Sequence, residues 1–238
     1  MSMTKEDYTS RVETALQDTA EKLQPDDKDR LLSQAVLVYS KDRPREIIHE
    51  LTGDGTSYDF AMPSSWVEGF SSIRGKIEYP ADDYQNPVYI EDDEWVFFQK
   101  LVSSVTTKYI RFTTFTPSSN KKARFLYSLP HTLIDTSNTI VDNDIEAVIT
   151  LTAALCFWAL AAKFAQTTDP TIDADVIDYQ RKSDLYTILA KEKLALYNSL
   201  MGIGDEAKGA AAAGVEIKDL DVMFPWGEDY LTHPIRQR

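Results

Sequence analysis

Apolar residues recur every three or four positions at both ends of the chain and every second position in its middle. Residues 4–23 place Tyr8, Val12, Ala15, Leu16 and Leu23 on one helical face. Residues 27–41 repeat the pattern with Leu32, Ala35, Val36 and Tyr39. Pro25 ends the first helix, Asp26 or Asp27 can cap the second, and Pro44 closes it.

From residue 45 to 129 the period falls to two. Tyr58, Phe60 and Met62 alternate, as do Ile110, Phe112 and Thr114, and then Ala123, Phe125 and Tyr127. This predicts strands with one buried face. Gly53-Asp54-Gly55 lies between two such runs and predicts a hairpin turn. Residues 63–70 suggest one short helical turn, and Asn120 to Lys122 a loop.

Helical periodicity returns after Asn143, which with Glu146 has the spacing of a capping box. A helix over about 144–166 follows, apolar on nearly every side and therefore expected at the centre of a bundle. Its uncharged stretch, Ala147 to Ala162, is short for a membrane span and contains Thr150 and Thr152, so a buried core helix is expected. Thr168, Asp169 and Pro170 break it. A last helix over about 174–201 carries Leu185, Tyr186, Leu189, Ala190, Leu196, Tyr197 and Leu200 in one broad stripe, with Lys182 and Lys193 inside it, and Gly202 stops it. Beyond a small-residue stretch, residues 222–238 carry Phe224, Trp226, Tyr230 and Ile235 among two prolines.

The expected fold is therefore α+β. A bundle of four helices is drawn from residues 1–43 and 142–204, a strand-rich insertion from residues 44–141, and an extended C-terminal arm from residues 205–238.

Charge narrows the function. Thirty-eight acidic residues against 25 basic ones give a net charge of −13. Such a chain lacks the cations for phosphate binding, which disfavours a nucleic-acid clamp but not a conduit that DNA slides through. Cys156 is the only cysteine, so no internal disulfide forms. The start, MSMTKEDYTS, shows no signal peptide, and a soluble chain made in the cytoplasm is expected.

Candidate chemistry is sparse. The acidic pairs Asp26-Asp27 and Asp82-Asp83 and the run Glu91 to Glu94 could offer oxygens to a hard cation, but they match no EF-hand and fit solvated turns as well. His49, His131 and His233 are scattered outside any zinc motif. Cys156 lies in the most apolar helix, where a thiol packs rather than reacts. No GxSxG, Walker or GxGxxG motif is present, and nothing selects a carboxylate pair for glycoside hydrolysis. No catalytic residue, metal or cofactor is assigned. Lys121, Lys122 and Arg124, with Lys108 and Arg111, form the one dense basic patch: a solvated loop, or a contact for an acidic neighbour. The arm is the strongest signal. Phe224, Pro225, Trp226, Tyr230 and Ile235 suit an extended segment anchored in a partner's groove, each aromatic ring burying roughly 150–250 Å². The alternative is a tail folded back on its own helices.

Residues 31–62, LLSQAVLVYSKDRPREIIHELTGDGTSYDFAM, and residues 174–202, ADVIDYQRKSDLYTILAKEKLALYNSLMG, resemble head–tail connector adaptor proteins of tailed phages. The extended arm resembles theirs too. The strand-rich insertion is absent from the smallest adaptors. The resemblance implies a virion structural protein at the neck. Its partners would be the portal protein, bound by the arm, its own copies in a ring of about twelve, and a downstream neck or tail protein. DNA would pass through without specific binding. A stopper or tail terminator, a virion-associated hydrolase using carboxylates, and a host binding module with tyrosine-rich strands are the other candidates. The first two neck roles would be built mainly of strands, which the long helices disfavour.

Overall fold

The proline between the first two helical patterns is itself the first residue of the second helix. The computed structural model describes residues 3–16, 23–81, 87–102, 105–135, 137–166 and 173–204. Helix α1 spans Lys5–Leu16 and α2 spans Pro25–Asp42. Pro25 takes the first helical position, where its missing N–H would have had no partner anyway. Gln24 is the cap residue and makes no side-chain cap, so Asp26 and Asp27 do not cap as expected. They lie in the first turn, near the positive end of the helix dipole. Residues 4–7 hold a capping box that the hydrophobic pattern did not announce. The Thr4 N–H donates to Asp7 Oδ2 (2.8 Å), and the Asp7 N–H donates back to Thr4 Oγ1 (3.3 Å).

Nine strands follow among the described residues. They are β1 (Arg45–Thr52), β2 (Asp59–Ala61), β3 (Ile73–Glu78), β4 (Tyr89–Ile90), β5 (Trp95–Val102), β6 (Val105–Phe112), β7 (Lys122–Leu129), β8 (Leu133–Ile134) and β9 (Ser137–Asn138). They form an antiparallel sheet in the order β1-β7-β3-β4, a second in the order β2-β6-β5, and the small β8-β9 ladder. The expected alternation holds in β7 and β6, where Ala123, Phe125 and Tyr127, and Ile110 and Phe112, are buried and with Ile77 fill one apolar cluster, but Tyr58 and Thr114 lie outside the strands and are exposed.

The expected hairpin at Gly53-Asp54-Gly55 is not one. β1 pairs with β7, Ile47 opposite Tyr127, while β2 pairs with β6, so this loop carries the chain from one sheet to the other. Both glycines have reasons. Gly55 has φ +81°, and a Cβ on Gly53 would lie 2.4 Å from Ser118 O and 2.5 Å from Pro117 O. Residues 63–70 form turns rather than a helix: the Trp66 N–H donates to Pro63 O (2.9 Å) and the Phe70 N–H to Val67 O (3.1 Å).

A 3-10 turn at Asp142–Asp144 leads into α3 (Ile145–Gln166). The expected Asn143–Glu146 capping box does not form; Glu146 reaches toward Arg11 at 3.8 Å instead. α3 is long and apolar enough to cross a bilayer. Ala147 through Ala154, Cys156, Phe157, Leu160 and Ala161 are buried, and α1 and α2 both pack on it, which makes it the core helix of this protein. α4 spans Asp173–Met201. The structure is thus mixed α+β. The chain divides into Met1–Tyr197, with the nine described strands, and Asn198–Arg238. The described part of the second unit is the last turn of α4 and its stop, where Gly202 adopts φ +70° and the Ile203 N–H donates to Asn198 O at 2.8 Å.

Candidate assembly surface

A long helix with apolar residues on two separate faces needs two partners, and α4 has one of them within its own chain. Ser183, Tyr186, Ala190 and Tyr197 share one face by their spacing of three, four and seven. Tyr186 stacks on Phe157 (ring centroids 6.1 Å apart) and Phe164 (5.3 Å) of α3, and Ser183 Oγ donates to Ala161 O at 3.0 Å. Ala190 is fully buried. The other face carries Leu185, Ile188, Leu189 and Leu196, which are 38–58% exposed. The single stripe expected from sequence is therefore two faces about 120° apart, because aromatic and small residues turn inward and leucines outward. Glu192 stands in the outer row between Leu189 and Leu196 and is exposed.

A second apolar patch lies between α2 and the β8–β9 ladder. Lys5, Leu32, Val36, Leu37, Leu133 and Ile134 line a cleft of about 250 Å³. Leu37 and Ile134, 56% and 55% exposed, form its lip. Leu37 and Asp42 are five positions apart on α2, about 140° around the helix. Asp42 accepts a hydrogen bond from Tyr197 of α4. The cleft and the seat of α4 therefore lie on nearly opposite sides of α2.

A buried polar cluster fixes these elements. Asp144 is buried, accepts from Tyr39 Oη at 2.7 Å, and receives Arg43 Nη1 at 2.6 and 2.7 Å. Burial and then the bond to Asp144 push the Tyr39 hydroxyl far above the usual phenol range. Burial and the bond to Asp42 do the same to Tyr197. The His131 ring, also buried, has Nδ1 at 2.7 Å from Thr139 O and Nε2 at 3.0 Å from Arg43 O, and its backbone N–H donates to Ser40 Oγ at 2.9 Å. Residue 131 thus ties the segment after β7 to the end of α2.

The remaining sequence candidates are mostly absorbed by the fold. Lys122 and Arg124 pair with Glu50 at 2.7 and 2.8 Å, Lys108 with Glu68 at 3.2 Å, and Arg111 with Asp59 at 2.6 Å. The basic patch is divided between two sheets and matched by the chain's own carboxylates. Of the acidic run, Glu91 pairs with Lys76 at 2.9 Å and Glu94 accepts from the Glu91 N–H at 3.1 Å, the bonding of a closed turn. Asp82 and Asp83 lie outside the described residues. Among the described residues no group of three or more His, Cys, Asp or Glu side chains could hold a metal ion. Cys156 is buried in α3. Phe224, Pro225, Trp226, Tyr230 and Ile235, expected to bind the portal, also lie outside the described residues. The division of the α4 stripe into two faces and the α2–β8 cleft escaped sequence reasoning. A helical pattern too wide for one face was the available signal for the first, while the second needs two segments a hundred residues apart.

No protein-family model matches the chain, and no curated protein matches it. Among solved structures, one described as "Neck of empty GTA particle computed with C6 symmetry" aligns over 78% of this chain and 92% of its own, with 9% identity and a TM-score of 0.25. A score that low carries no argument about fold or role.

Proposed function

We propose that this chain is a structural subunit of the ring that joins a tailed phage's head to its tail, an adaptor docked beneath the portal. The observation that carries the proposal is the outer face of α4. Four half-exposed aliphatic side chains in a row, each worth about 1 kcal/mol when covered, are built for contact with another protein rather than with water. The resemblance of residues 31–62 and 174–202 to adaptor proteins supports the choice of partner, and the −13 charge suits a channel through which DNA must move without adhering. In this proposal residues 205–238 form an arm whose Phe224, Pro225, Trp226, Tyr230 and Ile235 lie in a groove of the portal, and about a dozen copies gain avidity from joint docking. The role is assembly rather than catalysis. The site of action is the virion neck, after synthesis in the host cytoplasm. The double variant Phe224→Ala, Trp226→Ala tests the arm: binding to immobilised portal should fall at least tenfold, and unchanged binding would reject the assignment.

A further inference from the structure

The two uncovered apolar patches differ in shape and face apart. The outer row of α4 is a ridge, Leu185, Ile188, Leu189 and Leu196, turned about 120° around α4 from the face that packs on α3. The other patch is the cleft whose lip is Leu37 and Ile134. The helical wheel of α2 puts that cleft nearly opposite the point where α4 is anchored. A surface that complements itself across a two-fold axis would place one patch against its own copy. A ridge and a cleft on opposite sides instead join head to tail, the contact that generates a ring when the rotation closes.

Charge fits the same pairing. Glu192, which is exposed, stands between Leu189 and Leu196 in the ridge row, and Lys182 stands one turn before Leu185. Beside the cleft, Lys41 follows Leu37 by one helical turn and is exposed, while Lys5 at the cleft is already paired with Asp29 at 2.6 Å. Area fits as well. Six half-exposed aliphatic side chains, four on one copy and two on the next, supply roughly 600 Å² of apolar surface at the centre of a contact that buries about 1,600 Å² over both partners.

We infer that the α4 ridge of one copy seats in the α2–β8 cleft of the next, with Glu192 facing Lys41, so that copies of this chain assemble head to tail. The inference rests on the ring reading above and names the surfaces that build the ring.

The test uses two full-length variants. Leu189→Glu with Leu196→Glu breaks the ridge, and Leu37→Glu with Ile134→Asp breaks the cleft. Mass is followed at rising concentration for the chain alone and on co-expressed portal. All four positions are solvent-facing, so both variants should melt as wild type does. If one does not, its Gln counterpart takes its place. Wild type should form higher oligomers in at least one setting, and each variant alone should assemble at least tenfold more weakly. A mixture of the two variants should form a heterodimer and stop there, because one intact ridge and one intact cleft remain per pair. Variants that assemble as wild type does, a mixture that stays monomeric, or a wild type that assembles in neither setting would overturn the inference. Portal capture of the same variants reports separately on the adaptor reading: a ring built through other surfaces leaves that reading standing.

Discussion

Tyr197 Oη donates a hydrogen bond to the Asp42 carboxylate, joining the outer helix α4 to the last turn of α2 across 155 positions of sequence. The contact sets which way α4 faces. With Tyr197 turned inward, Leu196 and Leu189 can only turn out. A double-mutant cycle with Tyr197→Phe and Asp42→Asn should give a coupling of about 1–2 kcal/mol by urea denaturation. Additive effects would show that the bond does not anchor the helix.

Alkaline stability follows from the same residue and from Tyr39. Both hydroxyls are held above the unfolded value of 10.0. Above that pH the unfolded chain has released these protons and the folded chain has not, so rising pH favours unfolding. Their contribution is complete below pH 10 and falls above it by about 1.4 kcal/mol per pH unit for each tyrosine. Melting temperature followed from pH 8 to 11.5 should drop beyond 10, and the drop should be shallower in Tyr39→Phe, Tyr197→Phe.

The opposite sign applies to the carboxylates of the sheets. Lys122, and after it Arg124, holds Glu50 below its usual 4.5, and Arg111 holds Asp59 below its usual 3.8. Each contributes stability above its unfolded value and loses it as pH falls through the folded one. Acid unfolding between pH 5 and 2 should therefore be less steep in Glu50→Gln, Asp59→Asn, measured by the slope of melting temperature against pH. An unchanged slope would remove these pairs from the account.

Gly53→Ala should destabilise by about 2–3 kcal/mol, since the new methyl would meet the Pro117 and Ser118 carbonyl oxygens, which belong to backbone and cannot swing away. Gly69→Ala, where positive φ strains the backbone but open space surrounds the new carbon, should cost less. Equal losses would mean that close packing is not what requires Gly53.

The helices and the buried strand faces were legible because period alone encodes them: α3 and α4 fall within a residue or two of expectation, and Phe125 and Tyr127 alternate as buried positions should. Pairing was not legible. The Gly53–Gly55 segment has the composition of a hairpin, and only the distant strand β7, which takes β1 as its neighbour, makes it a passage between sheets. Helix entries misled for a related reason. Asn143 and Glu146 have capping-box spacing, but the Asp144 beside them is drawn inward by Tyr39 and Arg43, residues a hundred positions earlier. The candidate surface was half legible. The breadth of the α4 stripe was visible in sequence, but which leucines face outward depends on where Tyr186 finds Phe157 and Phe164.

The central claim is that this chain is a portal-docked ring subunit. Its most direct test is co-expression with the portal protein of the same genome, followed by size-exclusion chromatography with mass detection, for the full chain and for a version ending at Gly204. The account predicts that the full chain co-elutes with portal as one ring-sized complex and that the shortened chain does not. A full chain that elutes apart from portal would contradict it.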